Sequence, residues 1–183
     1  MTHEQILAAG RSLAFNDLVL SPTLQQLAAG AGVTVQTVLR HFGSRDEVLA
    51  EIERTARDEI AAERTPASTD VHAALGALLE HYERRGAFVM ALIAREASDE
   101  RAAQIARYGR AVHRQWVEDV FRPSLPDATS DRDEALDLLV VATDLFTWHL
   151  LRRDRGLPIE VVRDRMSVLI TGALLRVSTQ KGS

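Results

Sequence analysis

Apolar residues recur at three- and four-residue spacing along almost the whole of this 183-residue chain. That spacing places them on one face of a helix, whereas the strict alternation typical of half-buried strands is almost absent. Ten glycines and five prolines are few enough to leave long uninterrupted segments between turns. The pattern therefore predicts an all-α fold.

Capping and turn-forming residues divide this pattern into helices. We expect a capping box at Thr2 with Gln5, a helix opened by the Ser21-Pro22-Thr23 turn, a short helix capped by Thr34, and a second capping box at Ser44 with Glu47. The segment Thr65 to Thr69 (TPAST) is the best linker candidate. Beyond it we expect helices near 70–85, 87–97, 100–121, 131–153 and 158–177.

Composition narrows the classes of protein that the chain can belong to. The absence of cysteine excludes disulfide scaffolds and thiolate metal sites, and it fits a reducing compartment, so we expect a cytoplasmic protein. The sequence contains no run of 18 apolar residues, so we expect no membrane-spanning helix. The first twelve residues lack a basic start followed by an apolar stretch, so we expect no signal peptide.

Residues 23–42 predict two short helices around a tight turn. Small residues (Ala28, Ala31 and Gly32) lie where the two helices must approach closely, as in a helix-turn-helix. Residues 21–45 contain two arginines and no acid, although the whole chain carries a net charge of −4. An acid-free segment in an acidic chain favours a surface that faces phosphate. The alternative is a helical hairpin with no role in DNA binding.

The run from Ile6 to Ile52 resembles the N-terminal domain of tetracycline-repressor (TetR) family regulators. Its most specific pieces are LAAGAGVT and HFGSRDEVL. The resemblance covers about a quarter of the chain. It implies a helix-turn-helix DNA-binding domain over 1–45, a connecting helix over 46–64, and a helical domain over 65–183 that binds a ligand and dimerises.

The resemblance also implies DNA contacts, residue by residue. Thr23 and Arg45 match phosphate-contacting positions, and Thr34 can cap the recognition helix, contact phosphate, or do both. Gln36 could pair with adenine through two hydrogen bonds, and the methyl groups of its neighbours could touch a thymine methyl. The expected DNA-contacting residues are Thr23, Thr34, Val35, Gln36, Thr37, Arg40, His41 and Arg45.

Four positions depart from the family pattern, and one of them, Ala14, stands at a usual phenylalanine, which thins the core under the first helix. Leu39 replaces a usual tyrosine, which removes one phosphate-contacting hydroxyl, and Val35 replaces a common lysine. Leu18 stands at a usual glycine, so we expect Asn16 or Asp17 to supply the left-handed residue that ends the first helix. These departures predict a salt-sensitive binder of moderate affinity.

Two segments near the C-terminus predict a self-association surface. Residues 135–151 are apolar nearly all round, so this helix must be covered on every side, and 158–177 carries one apolar stripe. Two such helices that pair with their symmetry mates would form a two-fold four-helix interface. The expected interface residues are Leu138, Val141, Leu145, Val162, Met166, Leu169, Ile170 and Ala173. The alternative is the core of a monomeric bundle.

Most of the few aromatic residues fall in the C-terminal two-thirds, where they suit an apolar pocket with polar tips. The expected ligand-binding residues are Tyr82, Phe88, Met90, Tyr108, Val112, His113, Trp116, Phe146, Trp148 and His149. The alternative is that each of them is ordinary core packing. Asp144, on an otherwise apolar helix, must be paired or exposed, and its expected partners are an arginine or histidine or, instead, a polar group of a ligand.

Enzyme motifs are absent from the sequence. It contains no Gly-rich phosphate loop, no HExxH and no Gly-x-Ser-x-Gly, and no two of the six histidines have the helical spacing of a metal pair. We therefore expect neither a metal nor another cofactor. The sequence favours a homodimeric repressor of a near-palindromic operator, released by a small, largely apolar effector. The alternatives are an interaction protein that has lost DNA binding and, less favoured, an enzyme.

Overall fold

Helices account for every regular element of the computed structural model, which describes residues 1–65, 70–126 and 129–180. The all-α prediction is confirmed. The helices are α1 Thr2–Asp17, α2 Leu24–Ala31, α3 Val35–Phe42, α4 Arg45–Arg64, α5 Val71–Arg95, α6 Glu100–Phe121, α7 Thr129–Thr143, α8 Leu145–His149 and α9 Ile159–Gln180. A 3₁₀ turn spans Arg122–Ser124 and a π-helical turn spans Leu150–Asp154. Four residues of the expected linker, 66–69, lie outside the described residues.

The chain forms two compact units that do not follow the sequence as simple halves. The first unit comprises Met1–Glu63 and Phe88–Ala103, and the second comprises Arg64–Ala87 and Gln104–Ser183. Helices α5 and α6 each contribute residues to both units. Each unit is described separately below.

The first unit is built on a small apolar core under α1 to α4. Its buried members are Ile6, Leu7, Leu27, Ala28, Val38, Phe42, Val48 and Ile52. Gly10 allows α4 to approach α1, because a Cβ atom at this position would clash with Cδ1 of Ile52. Gly32 ends α2 with a left-handed φ of 66°, which lets the chain turn at once into α3. This packing fixes the helix-turn-helix.

Two local expectations for α1 are wrong. Met1 is the N-cap and makes no side-chain cap bond, so the expected Thr2–Gln5 capping box is absent. Leu18 itself adopts the left-handed conformation, with a φ of 55°, in place of Asn16 or Asp17. The Leu18 N–H bonds to the carbonyl of Leu13, and Arg95 donates to the Leu18 carbonyl at 3.0 Å, so hydrogen bonds on both sides hold this strained residue.

Helices of the second unit differ from the sequence expectation at two places. The expected break at Gly86 is absent, and α5 runs continuously from Val71 to Arg95. The expected helix over 131–153 is instead interrupted at Asp144, whose carboxylate accepts from the N–H of Phe146 at 2.8 Å and caps α8. Asp144 is therefore a cap, a role that neither expected alternative included. Helix α7 packs against α9.

Candidate nucleic-acid interface

Helix α3 buries one face in the first unit and presents the other to solvent. Val38 and Phe42 anchor the buried face, while Gln36, Arg40 and His41 are exposed. Val35 and Thr37 are half-buried. The first turn of α3 thus carries polar side chains and a valine methyl pair on an accessible surface, which is the arrangement needed to contact base edges.

An open depression lies on the outer surface of α3. Val35, Gln36, Leu39 and Arg40 line it. Two aliphatic side chains thus lie beside an amide and a guanidinium, a combination that suits thymine methyl groups and base or phosphate acceptors. Leu39, which stands where the family pattern has a tyrosine hydroxyl, is 38 % exposed and lies on the candidate contact surface.

The two threonines at the helix starts act as caps. Thr23 forms a reciprocal capping box: its hydroxyl accepts from the N–H of Gln26, and its own N–H donates to Oε1 of Gln26 at 2.8 Å. The Thr34 hydroxyl accepts from the N–H of Thr37 at 3.1 Å. The capping role of Thr34 is confirmed. The phosphate contacts expected of both residues stay predictions.

Arg45 braces the loop that precedes α2. Its Nε donates to the carbonyl of Pro22 at 3.0 Å, and its Nη2 donates to the carbonyl and the hydroxyl of Ser21 at 3.0 and 2.8 Å. Sequence reasoning missed Ser21, because no local pattern links it to a residue 24 positions away. Arg45 thereby positions the start of α2, and its expected phosphate contact stays a prediction.

The expected ligand-binding residues do not share one unit. Phe88 and Met90 belong to the first unit, where Phe88 packs edge-to-face on Phe15 with ring centroids 5.1 Å apart. The others belong to the second unit. Of these, Tyr82, His113 and Trp148 are buried, Val112, Trp116 and His149 are half-buried, and Tyr108 and Phe146 are exposed.

A chain of hydrogen bonds runs through the core of the second unit. Arg64 Nη2 lies 2.9 Å from Nδ1 of His113, and His113 Nε2 lies 3.2 Å from Oγ1 of Thr143, which donates to the carbonyl of Leu139. Because an arginine can only donate, Nδ1 accepts and Nε2 carries the proton. Burial, and then the charge of Arg64, lowers the pKa of His113 to about 4.

Tyr82 and Trp148 form a second buried group in this core. The Tyr82 hydroxyl donates to the carbonyl of Thr143 at 3.0 Å, and burial raises the pKa of Tyr82. The Trp148 indole N–H donates to Glu83 at 3.1 Å, and Arg152 Nε donates to the same oxygen at 2.9 Å. These partners satisfy the polar atoms of both aromatic side chains, and the ligand contacts expected of Tyr82 and Trp148 stay predictions.

Sequence reasoning missed Arg64, which is only 8 % exposed. An arginine in the last turn of a helix is ordinarily a solvated partner of the helix dipole, so its position gave no signal of burial. Within the described residues, no cluster of three or more metal-ligating side chains occurs. No described helix is long and apolar enough to cross a membrane.

The expected interface residues divide into a buried and an exposed set. Leu145, Val162, Met166, Ile170 and Ala173 are buried within the protomer, because the inner stripe of α9 is already used against the core. The interface expectation is corrected for these five residues. Leu138, Val141 and Leu169 are exposed, as are Val168 and Leu175, which the sequence analysis did not select. We call these five residues of α7 and α9 the outer apolar patch.

Comparisons with known proteins agree with this arrangement. Residues 6–52 match the family model described as "Bacterial regulatory proteins, tetR family". The fold is similar to the crystal structure of a transcriptional regulator from Rhodococcus sp. Rha1, with a TM-score of 0.64 and 22 % identity over 96 % of this chain and 97 % of that one. No curated protein matches the sequence.

Proposed function

We propose that the chain is a TetR-family transcriptional regulator. In this proposal it is a homodimeric repressor, not an enzyme, and it acts on a near-palindromic operator in the cytoplasm. The observation that carries the proposal is the first turn of α3, where Gln36 is exposed while the Thr34 cap and the core beneath the helix hold the turn in place. Gln36 is the residue that we assign to base recognition, and Arg40 is within one helical turn of it.

Local charge supports the proposed docking of this surface on DNA. Helix α3 and the segments that flank it carry Arg40 and Arg45 and no acid, while α4 beyond Arg45 is rich in acids. Phosphate repels the acidic part and attracts the part around α3. The contrast favours one orientation of the protein on the duplex.

The outer apolar patch supports the proposed dimer. Val168 is 70 % exposed and Val141 is 64 % exposed, although each lies beside buried residues of the same helix. A self-complementary two-fold interface would cover such side chains on both copies at once. A two-fold dimer presents two identical α3 helices, and this symmetry is the reason that we propose a near-palindromic operator.

We further propose that a small, largely apolar effector relieves repression through α4. This helix begins at Arg45, which braces the loop before α2, and ends at Arg64 in the core of the second unit. Effector and operator then weaken each other by the same factor, because coupling is reciprocal. A coupling of about 1–3 kcal/mol would lower operator affinity about 5- to 150-fold.

Selection of DNA fragments from a random pool by the purified full chain tests the proposal. We expect an enriched site with inverted symmetry and half-site centres about one helical turn, or a multiple of it, apart. Gln36→Ala should relax discrimination at one base pair per half-site, by about 1–3 kcal/mol, while Gln25→Ala on α2 serves as the matched control. Failure to enrich any sequence would contradict DNA recognition, and an asymmetric site would contradict the dimer.

A further inference from the structure

Arg64 is a buried cation for which the described residues supply no carboxylate partner. Within the described residues, its side chain forms a hydrogen bond with His113 and lies over the Trp116 ring, whose centroid is 5.3 Å from the guanidinium carbon. The Nε atom is buried and has no acceptor within the part of the chain that the structure describes. The side chain thus lies in the core with one neutral partner and one orphaned donor.

An unpaired charge in such a place is unfavourable, because burial removes water without supplying a counter-ion. The guanidinium does not escape by losing its proton near neutral pH, although burial lowers its pKa. His113 is uncharged near neutral pH, and the carboxylate of Asp144 is occupied as the cap of α8. None of the residues that the structure describes around Arg64 therefore neutralises its charge.

The contacts of Trp116 indicate what kind of molecule could bind beside the charge of Arg64. Its indole N–H donates to the carbonyl of Arg64 at 3.3 Å, and its ring stacks on His113 with centroids 5.9 Å apart. The half-buried ring, beside the guanidinium, offers an apolar surface next to a donor without an acceptor. A molecule with an apolar body and a terminal oxyanion would pack on this surface and accept a hydrogen bond from the donor. Arginine also binds carboxylates more strongly than neutral acceptors.

We propose that the effector of this regulator carries an oxyanion, in the simplest case a carboxylate on an apolar body, that pairs with Arg64. The inference rests on the proposed regulation by a small molecule, and it specifies the chemical class of that molecule. Unfavourable placement of a charged group in the free protein is typical of sites that a ligand completes.

Matched acid and amide probes test the pairing directly. Benzoate, phenylacetate and hexanoate are each titrated beside benzamide, phenylacetamide and hexanamide, at constant ionic strength, into the Trp148→Phe protein. Trp116 is then the sole tryptophan, and its emission reports the site. We expect at least one acid to bind saturably and at least about tenfold more tightly than its amide, since charged hydrogen bonds exceed neutral ones.

Variants then assign the preference to Arg64. Arg64→Met should abolish the acid preference, Arg64→Lys should keep part of it, and Arg54→Met, an exposed arginine of the same helix, should keep all of it. The proposal would be overturned if every acid gave the same response as its amide, or if neither gave any response. It would also be overturned if the preference for the acid survived Arg64→Met. Where a variant does not fold, the thermal unfolding of the unmodified protein with the same six probes decides the question.

Operator binding separates this inference from the function on which it rests. Each acid that binds is added to the complex of the protein with its selected DNA. Release of DNA by the acid and not by its amide supports both proposals. Binding of the acid without any change in operator affinity supports the Arg64 site and contradicts effector relief, whereas DNA release by neutral probes alone contradicts the Arg64 site and leaves relief standing.

Discussion

His113 shows how the surroundings of one residue determine its charge. The ring is buried between Arg64 and Thr143 and stacks on Trp116. An electrostatic interaction with the nearby His81 also lowers its pKa. Burial opposes protonation, and the fixed charge of Arg64 opposes it further. A proton on Nδ1 would also replace the hydrogen bond from Arg64 with a contact between two cations.

This environment predicts a pH-dependent stability. The pKa of His113 is about 4 in the folded protein against 6.5 in the unfolded chain, so the unfolded chain binds the proton first. The free energy of unfolding should therefore fall as the pH is lowered from about 7 to about 4, by about 3 kcal/mol in total from this residue. Urea unfolding at a series of pH values measures it.

The variant His113→Gln provides the control for that series. A glutamine amide can accept from Arg64 and donate to Thr143, yet it does not titrate. The variant should lose the part of the pH dependence between about 4 and 7 that His113 causes. An identical slope in the two proteins would assign the pH dependence to other groups.

At the scale of the helices, sequence predicts best where the cause is local. The caps at Thr23 and Thr34 depend on residues three positions away, and both helices begin where the sequence indicates. Gly86 was misread because tertiary packing decides there, whereas the Asp144 cap is a local signal, a bond to an N–H two residues away, that the apolar residues on both sides of it obscured. The sequence cannot show that an indole ring is seated on Gly86.

Gly86 is the position where this packing can be tested. A Cβ atom there would lie 2.5 Å from Cζ3 of Trp148, a ring that is buried and held by Glu83. Gly86→Ala should gain up to about 1 kcal/mol of helix propensity and lose about 1–3 kcal/mol through overpacking. We expect a net loss in the free energy of unfolding, measured by urea denaturation.

Gly76 lies on the same helix and supplies the matched control. Nothing lies within 4 Å of a Cβ atom at Gly76, so Gly76→Ala should stabilise the protein by up to about 1 kcal/mol. Stabilisation by both substitutions would show that the Trp148 ring can shift, and that Gly86 is not required for the close approach.

At the scale of the whole molecule, the helical pattern indicated that the segment 135–151 must be covered on every side and that 158–177 has one apolar stripe, but not which neighbour covers them. Of the five interface residues selected on α9, only Leu169 is exposed in the protomer. Met166 and Ile170 are buried in the protomer, while Val168 and Leu169, on the same helix, are exposed. An apolar stripe in the sequence indicates that a helix face is buried, but the protomer core and a partner subunit would both produce it. Only the structure distinguishes burial in the core from burial by a partner.

Adjacent residues of α9 therefore predict opposite outcomes for the same substitution. Leu169→Glu places a charge in the outer apolar patch, where the side chain is 48 % exposed in the protomer, so we expect a folded monomer. Ile170→Glu buries that charge in the core, where Ile170 is only 4 % exposed, so we expect an unfolded chain. Circular dichroism separates the two variants, and light scattering gives the mass.

The unmodified protein should scatter as twice its 20.2 kDa mass, and Leu169→Glu as a single copy with its helix content retained. Because two linked α3 helices bind two half-sites together, the monomer should also bind a full operator no more tightly than a single half-site. A Leu169→Glu protein that stays dimeric would place the interface on another surface. A variant that unfolds like Ile170→Glu would show instead that Leu169 belongs to the protomer core.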